Sequence, residues 1–231
     1  SEKFISETID TNINGSKNIF VCAKKHKCKK VIVISSDKAS PPFTGLYALS
    51  KATMERSLIN LNAKKKIDLN IVRFGNLSWS TGSVLNLWDE MKTKKLIKTT
   101  GPEMTRFFYS IHKATKLIEL LIEKKNSYNN KIIIPEMKSL KIKDLLLEFC
   151  KINKVKWKRI KKREMDKSYE TLIPGGQSYK TTLFNNEIGK LFILDLKNNI
   201  KNYNKEINSI SSKKFSIKEI KSIINNKPKF L

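Results

Sequence analysis

The chain has 231 residues, with 47 Lys and Arg against 21 Asp and Glu, which gives a formal net charge of +26. A chain of this length can bury a substantial core and forms one large domain or two small ones. No apolar run reaches the roughly 18 residues of a membrane span, and no signal peptide is visible among the polar first residues given. Three Cys without a CxxC motif and only two His argue against a metal site and indicate reduced thiols in a cytoplasmic protein.

The strong positive charge raises the question of nucleic-acid binding. Lys outnumbers Arg 42 to 5, whereas base readout and bidentate phosphate binding favour Arg. The Lys residues are scattered as doublets and triplets with no interleaved aromatic residues. We therefore expect no specific nucleic-acid partner, and only weak adhesion to RNA or anionic lipid that salt would remove.

Hydrophobic periodicity divides the chain into alternating helices and strands. In chain order it predicts a helix at 3–25, a buried strand at 31–35, a helix at 46–62, a strand at 69–74, helices at 83–95 and 110–124, a strand at 131–134, a helix at 141–151, a strand at 155–160, and a helix at 217–225 capped by Ser216. The first helix is expected to bury Ile5, Ile9, Ile13, Phe20 and Val21. The order αβαβ predicts an α/β fold in which helices cover a parallel sheet.

A glycine-rich phosphate loop is absent from this α/β pattern. A dinucleotide-binding fold opens with a strand, a G-x-G-x-x-G turn and a helix. The chain has 8 Gly and no such motif, and it does not begin with Met. We therefore predict a partial Rossmann-type sheet that lacks its amino-terminal half, in a fragment or a processed protein.

The run KVIVISSDKASPPFTGLYALSK, residues 30–51, is the most informative segment. Its apolar strand ends in the polar run SSDK at 35–38, and Tyr47 and Lys51 follow one helical turn apart. In an open α/β sheet, ligands bind beyond the carboxyl ends of the strands. The segment therefore predicts a reactive site at the end of this strand.

Tyr47 and Lys51 suit acid–base chemistry. A phenol with a pKa near 10 is a weak base at neutral pH, and we expect the Lys51 ammonium to lower that pKa. The spacing by itself is weak, since Tyr109 and Lys113 repeat it without a site around them. A half-buried Tyr beside a solvated Lys is the alternative that the spacing leaves open.

Seven segments in order resemble one known family. They are TNINGSKN, VISSDKAS, YALSK, RFGNLSWSTGSV, PEMTRFF, IIIPEMKSLKIKDLL and REMDKSYETLI, and the resemblance covers nearly the whole chain to about residue 184. The chain resembles the extended short-chain dehydrogenase/reductases, specifically the polysaccharide-biosynthesis branch similar to UDP-N-acetylglucosamine 4,6-dehydratase.

This resemblance implies a catalytic role for five residues. Tyr47, assisted by Lys51 and Ser36, would remove the proton of the sugar 4-hydroxyl while hydride passes to NAD(P)+. Lys38 would then abstract the C5 proton that the 4-keto group acidifies. Asp37 would protonate the departing 6-hydroxyl, and hydride would return to C6. The alternative for Asp37 and Lys38 is an ion pair in a surface loop.

The resemblance also implies NAD or NADP as cofactor and a UDP-sugar as substrate. Cofactor contacts are expected from Tyr47, Lys51, Asn12 and Ser35. Substrate contacts are expected from Asn76, Ser83, Val84, Arg106, Arg163 and Asp166. Most of the cofactor site is expected in the missing half, which a separate chain could supply, and a homo-oligomer is expected.

The resemblance also implies a division of the chain into three regions. Residues 1–75 are predicted to be the remaining part of the NAD(P)-binding domain, with the helix at 110–124 packing back on it. Residues 76–184 are predicted to bind mainly the nucleotide-sugar. Residues 185–231 are predicted to be a polar tail, rich in Lys and Asn, with a short closing helix.

Three other functions stay open. A nucleotide-sugar 4-epimerase would share Tyr47 and Lys51 but would need no elimination pair, so Asp37 and Lys38 favour a dehydratase. A non-catalytic remnant or interaction subunit would keep the fold after losing its cofactor half. A basic RNA-binding protein would bind nucleic acid in a salt-dependent way and would have no affinity for UDP.

Overall fold

The structure, a computed structural model, describes residues 2–124, 128–161, 166–199 and 203–228. The chain divides into two compact units. The first consists of Ser1–Phe74, Thr115–Glu136 and Thr171–Asn208, and the second consists of Gly75–Ala114, Met137–Glu170 and Ser209–Leu231. Each unit is therefore built from three separate stretches of the sequence.

Helices and strands alternate as the periodicity predicts, with several additional short strands. The helices are α1 (Ile5–Ile9), α2 (Ser16–Lys25), α3 (Gly45–Leu61), α4 (Val84–Met91), α5 (Ile111–Glu123), α6 (Ile142–Asn153), α7 (Gly175–Ser178) and α8 (Ile217–Asn225). The strands are β1 (Lys30–Ser36), β2 (Asp68–Phe74), β3 (Asn76–Leu77), β4 (Leu96–Thr99), β5 (Thr105–Tyr109), β6 (Lys131–Pro135), β7 (Lys138–Lys141), β8 (Lys156–Arg159), β9 (Thr171–Ile173), β10 (Thr181–Asn186), β11 (Gly189–Leu194) and β12 (Ile207–Asn208).

The first unit is organised around a five-stranded sheet in the order β1-β2-β6-β11-β10. β1, β2 and β6 run parallel, and β11 and β10 extend the sheet in the antiparallel sense. β2 is buried along its whole length, and β6 is buried after its first residue. Such apolar runs are typical of parallel strands with both faces covered. The predicted α/β class is confirmed, although the sheet is mixed rather than wholly parallel.

β1 lies at the edge of this sheet, and the prediction that it is buried is wrong. In the part of the chain that the structure describes, its only strand partner is β2, from Lys30 opposite Asp68 to Ser36 opposite Phe74. Its apolar residues are half-buried, and Ile34 is 45% exposed. An apolar run predicts burial only if a neighbour covers each edge of the strand. Here one hydrogen-bonding edge of β1 is open.

The helix predicted at 3–25 forms, but its predicted buried face does not. Between α1 and α2 the segment Asp10–Gly15 makes a wide π-helical turn. Phe20 is 2% exposed as expected, whereas Ile5 and Val21 are 58% and 49% exposed. A π turn holds more residues than an α turn, so residues on its two sides lose the common phase that α-helical spacing assumes.

The second unit has its own sheets and core. β3, β5 and β7 form one sheet, and β4 and β8 pair in parallel. In the core, the ring centroids of Trp88 on α4 and Phe149 on α6 lie 5.6 Å apart, and Ile220 of α8 joins the same cluster. Ser216 caps α8 in a capping box with Glu219, as the sequence predicts.

The predicted regions differ from the observed units. The predicted break near 75 coincides with the change of unit after Phe74. The segment 185–231, however, is not a tail. Its strand β11 lies inside the first sheet between β6 and β10, and its helix α8 belongs to the core of the second unit. The Lys and Asn content reflects exposed loops, while short apolar runs such as LFIL supply the buried residues.

Gly75 provides a test of how tightly the start of the second unit is packed. A Cβ at this position would lie 2.6 Å from the Phe107 Cβ and 3.2 Å from the Phe107 carbonyl oxygen. Because one of these neighbours is backbone, we expect Gly75→Ala to lower the free energy of unfolding by about 1–3 kcal/mol. Gly176→Ala is the matched control, since nothing lies within 4 Å of a Cβ there. Urea unfolding followed by circular dichroism measures the stability of both variants. Equal unfolding midpoints for Gly75→Ala and Gly176→Ala would contradict the close contact between Gly75 and Phe107.

Candidate active site

The candidate site begins where β1 ends. Side chains alternate along a strand, so Ser35 points into the protein and is 5% exposed, while Ser36 is half-buried on the other face. A short 3-10 turn, Asp37–Ala39, follows directly. The Ser36 hydroxyl oxygen accepts a hydrogen bond from the Lys38 backbone N–H at 3.3 Å. The strand end and the turn are thereby fixed to each other.

Asp37 is the acidic residue of this turn, and it is buried. Its side chain is 1% exposed. Its Oδ1 accepts a hydrogen bond from the Ser36 hydroxyl at 3.0 Å and lies 3.5 Å from the Lys38 ammonium nitrogen. Its Oδ2 is buried and has no hydrogen-bond partner among the residues that the structure describes. A buried carboxylate oxygen without a partner is costly, which makes this atom a candidate to bind a ligand hydroxyl or proton.

Helix α3 brings Tyr47 and Lys51 to the same place. The Lys51 ammonium donates a hydrogen bond to the Ile34 carbonyl oxygen of β1 at 3.2 Å. The Tyr47 phenol lies close enough to Ser36, Lys38 and Asp37 for all three to act on its pKa. The structure therefore brings together the five residues predicted to be catalytic, from one strand end, one turn and one helix.

The pKa of Tyr47 differs from its predicted behaviour. Burial raises the pKa of the phenol, and this effect exceeds the lowering by the Lys38 ammonium and by the hydrogen bond with Ser36. The prediction of a lowered pKa is therefore wrong for the protein without ligands. The ammonium acting on the phenol is that of Lys38, on the turn, rather than that of Lys51. Sequence spacing along α3 cannot reveal a neighbour that another element supplies.

Lys51 responds to burial in the opposite sense. Desolvation lowers the pKa of its ammonium because burial disfavours the charged form, and the carboxylate of Glu55 partly opposes this. Glu55 lies four residues further along α3, one helical turn beyond Lys51. It is 0% exposed. The charge state of Lys51 thus depends on a buried acid that the motif does not contain.

Glu55 belongs to a buried network that sequence reasoning missed. It pairs with Arg73 of β2 through two bonds, Nε to Oε1 at 2.8 Å and Nη2 to Oε2 at 2.6 Å. Both side chains are 0% exposed. The Ser35 hydroxyl donates to Glu55 Oε1 at 2.6 Å. One sequence feature pointed to a buried ion pair: Arg73 is one of five Arg and is the one charged residue in the run LNIVRF.

This network changes the interpretation of Ser35 and Asn12. Ser35 was expected at the cofactor, and its buried hydroxyl has an internal partner, Oε1 of Glu55. Asn12 was also expected at the cofactor. It lies on the π-helical turn and donates to the Ser50 hydroxyl of α3 at 3.0 Å, and Ser50 in turn donates to the Tyr47 carbonyl oxygen at 2.9 Å. Asn12 therefore supports α3.

Three residues predicted to bind substrate lie near the start of the second unit. The Asn76 side chain on β3 donates to the Phe107 carbonyl oxygen at 3.0 Å. The Ser83 hydroxyl caps α4 by accepting from the Asn86 backbone N–H at 3.4 Å, and Val84 is the first residue of that helix. The amino terminus of a helix favours anions, so Ser83 and Val84 are compatible with a phosphate group.

The two remaining described residues of the predicted substrate set have internal partners. Arg106 is buried, and its guanidinium donates to the carbonyl oxygens of Thr105 and Lys167, each at 2.8 Å. Its Nε also lies 3.6 Å from a Glu170 carboxylate oxygen. These internal bonds of Arg106 are an alternative to the expected substrate contact. Asp166 accepts a hydrogen bond from the Thr100 hydroxyl at 3.3 Å. Arg163 lies outside the described residues.

Comparison with known proteins shows which family the chain belongs to. A model of the polysaccharide biosynthesis protein family matches residues 1–221. The chain belongs to this family. The family lies among the extended short-chain dehydrogenase/reductases, as the seven motifs predict. No helix in the described ranges combines the length and hydropathy needed to cross a membrane.

Curated relatives carry two different activities in their names. A UDP-glucose 4-epimerase of Rickettsia bellii is 27% identical over 252 aligned positions, which cover 97% of this chain and 70% of the relative. A UDP-N-acetylglucosamine 4,6-dehydratase (inverting) of Campylobacter jejuni is 29% identical over 185 positions, which cover 78% of this chain and 53% of the relative. The chain therefore spans only about half to 70% of the length of these two relatives.

A solved structure resembles the whole chain. The X-ray structure of Pen from Bacillus thuringiensis superposes with a TM-score of 0.82 at 26% identity. The match covers 98% of this chain and 72% of that chain. That chain is therefore longer than the part that resembles this one.

The geometry of the site predicts which ammonium controls the Tyr47 phenol. Because the positive charge of Lys38 favours the phenolate, we expect Lys38→Met to raise the pKa of Tyr47 further. Lys51→Met is the matched control and should change that pKa less. Tyrosine ring 13C NMR across alkaline pH measures both, with the Tyr47 signal assigned by Tyr47→Phe. A larger change in the Lys51 variant would contradict the observed arrangement.

Proposed function

We propose that the protein is the catalytic and sugar-binding portion of an NAD(P)-dependent nucleotide-sugar 4,6-dehydratase that acts on UDP-N-acetylglucosamine or a similar UDP-sugar. The observation that carries this proposal is the convergence of an acid, two amines and a phenol at the end of β1. Asp37 and Lys38 lie on the turn, and Tyr47 and Lys51 lie on α3. A dehydration beside a ketone needs both an oxidation centre and an acid–base pair, and these four groups supply the protein's part of both.

In this proposal Tyr47 is the base for the sugar 4-hydroxyl. Its raised pKa keeps the phenol protonated in the free protein, so removal of the hydroxyl proton requires added positive charge near the phenol. The Lys38 ammonium already acts in this direction. The Ser36 hydroxyl can hydrogen-bond the sugar oxygen and the phenol together, because a hydroxyl both donates and accepts.

Asp37 and Lys38 are proposed to perform the elimination. The two residues start as an ion pair, with 3.5 Å between Lys38 Nζ and Asp37 Oδ1. After the oxidation, one proton transfer from the Lys38 ammonium to the Asp37 carboxylate gives the neutral amine and the neutral acid that the elimination needs. Two protons then move: one from C5 to Lys38 and one from Asp37 to the 6-hydroxyl, which leaves as water. These transfers restore the ion pair.

The residues present fit one end of a nicotinamide cofactor. Among the described residues the Lys51 ammonium makes a single hydrogen bond, to the Ile34 carbonyl oxygen, so two of its three N–H groups can bind the hydroxyls of a ribose. When bound, the cofactor would supply the reversible oxidation of the sugar. The chain has no G-x-G-x-x-G loop for the pyrophosphate. Tyr47 and Lys51 are therefore proposed to hold only the nicotinamide–ribose end.

The pyrophosphate-binding half is proposed to come from outside these 231 residues. The open edge of β1 supports this, since Ile34 is 45% exposed and β2 is its one strand partner among those described. A separate chain or further sequence of the same polypeptide could add parallel strands at this edge. The covered share of the relatives, 70% and 53%, is consistent with such a half.

For the nucleotide, the proposal uses residues of the second unit. Asn76, the Ser83–Val84 start of α4 and Asp166 are proposed to contact the UDP group. The amino terminus of α4 is suited to a phosphate, and Asp166 to a ribose hydroxyl. Arg106 is assigned instead to holding the segment 167–170, because its guanidinium is already bonded there.

A 4-epimerase is the second candidate, since a curated relative carries that name. An epimerase would use Tyr47 and Lys51 in the same way but has no use for a proton donor and acceptor at C5 and C6. The buried Asp37 with its unpartnered Oδ2 favours the dehydratase. The exchange of the C5 hydrogen with solvent separates the two reactions.

The test supplies the dinucleotide-binding half of a relative, in trans or by fusion, together with UDP-N-acetylglucosamine and NAD(P)+. We expect a 4-keto-6-deoxy product that carries deuterium at C5 when the reaction runs in D2O. Tyr47→Phe should reduce turnover by about 100-fold or more. Lys38→Met should abolish deuterium incorporation, while Lys113→Met, the lysine of the second Tyr-x-x-x-Lys pair, is the control and should not.

Each other outcome points to a different function. A product epimerised at C4 with no deuterium at C5 would favour the epimerase. Tight UDP binding with no conversion of any UDP-sugar would favour a non-catalytic subunit. Undiminished dehydration by Tyr47→Phe would overturn the assignment of the base.

A further inference from the structure

The buried pair of Glu55 and Arg73 has bonds that reach every element of the candidate site in the first unit. Glu55 lies on α3 and Arg73 on β2. The Ser35 hydroxyl ties β1 to Glu55 at 2.6 Å. The Arg73 Nη2 lies 3.5 Å from the carbonyl oxygen of Ala39, the last residue of the turn that carries Asp37.

The same guanidinium also reaches the carboxy-terminal part of the first unit. Its Nη1 donates to the Gln177 side-chain oxygen at 3.1 Å and to the Leu172 carbonyl oxygen at 3.4 Å. The Ser40 hydroxyl donates to that same Leu172 carbonyl oxygen at 3.3 Å. A single planar group with five donors thus fixes β2, α3, the turn after β1, β9 and α7.

Stability alone is a weak reason for such a pair. Removing two charges from water is costly, and replacing a buried ion pair by well-packed apolar groups is often neutral or stabilising. The placement of the pair is more informative. Glu55 is one helical turn from Lys51 and two from Tyr47, and Ser35 precedes Ser36 on β1. The bonds therefore connect the backbone segments that carry the reactive groups.

We propose that Glu55 and Arg73 are positioning residues, which hold α3 against the end of β1 and its turn so that Tyr47 stays beside that turn and Lys51 stays bonded to the Ile34 carbonyl oxygen. The catalytic consequence rests on the proposed function. The positioning itself does not, because it concerns contacts within the first unit of the chain.

The charged groups around Tyr47 and Lys51 bear on how the pKa of Tyr47 would change if α3 moved away from β1. Lys38 and Asp37, from the turn after β1, act on the Tyr47 phenol, and Glu55, from α3 itself, acts on Lys51. At the start of α3 the Glu2 carboxylate accepts the Leu46 N–H at 2.6 Å. If α3 moves away from β1, Tyr47 loses its burial together with the influence of Ser36, Lys38 and Asp37. Burial is the largest of these effects and it raises the pKa, so the pKa of Tyr47 should fall toward the ordinary value of a phenol.

The first experiment uses Ser35→Ala, which leaves the ion pair intact and removes the hydroxyl that links β1 to it. Ser40→Ala is the matched control, because it removes a buried hydroxyl of the same size that is bonded to Leu172 rather than to Glu55. Tyrosine ring 13C NMR of the 231-residue chain should show a lower pKa for Tyr47 in Ser35→Ala only, because a displaced α3 leaves the phenol less buried. Equal titration of Tyr47 in the native chain and Ser35→Ala would overturn the proposal.

The second experiment removes both charges, since one charge left unpaired in the interior would unfold the unit. Glu55→Gln combined with Arg73→Met is compared with Asp195→Asn combined with Lys131→Met. The latter removes a partly buried ion pair of the same unit, at the opposite ends of the parallel strands. In the enzyme completed with the dinucleotide-binding half, we expect kcat to fall on the order of 100-fold with KM little changed in the first double variant only.

The two readouts separate failure of this inference from failure of the proposed function. If the completed native protein converts no UDP-sugar, the proposed function fails, and the Tyr47 titration still decides on positioning. If it is active and both double variants lose kcat equally, the pair has only a structural role and the inference is wrong.

Discussion

The ion pair between Glu55 and Arg73 is the constraint on which the candidate site depends. Two opposite charges with no solvent exposure can be kept in a protein interior only when their hydrogen-bonding groups are nearly all satisfied. Here the partners include Ser35, Ala39 and Gln177, from three different elements. Satisfying one guanidinium therefore fixes the relative positions of several backbone segments. The reactive side chains sit on those segments.

The groups around β1 are tuned by burial as much as by charge. The Tyr47 phenol and the Lys51 ammonium are both shifted toward their neutral forms, because partial burial disfavours ions of either sign. Lys38 and Glu55 oppose these shifts from neighbouring positions. Burial therefore opposes the charged forms of both groups. A charged ligand entering the site would then have a large effect on proton affinities, because low dielectric strengthens electrostatic interactions.

Local patterns in the sequence predicted most helices and the central strands. The apolar runs of β2 and β6 and the Ser216 cap of α8 are local signals, and local physics decides them. Burial was predicted less well. β1 reads as a buried strand and lies at an open edge, and β11, in a region read as a polar tail, lies inside the sheet. Both errors arise because burial depends on which distant segment pairs with a strand, and composition carries no such information.

The sequence by itself determined the α/β class, the family and the set of reactive residue types at one strand end. These follow from periodicity and from the order of short motifs, which act over a few residues. Only the tertiary structure decided that Lys38 rather than Lys51 acts on Tyr47, that Ser35 and Arg106 have internal partners, and that Glu55 meets Arg73. Contacts between residues far apart in the chain are set by packing, and pKa values follow from those contacts. A pattern along the chain cannot contain them.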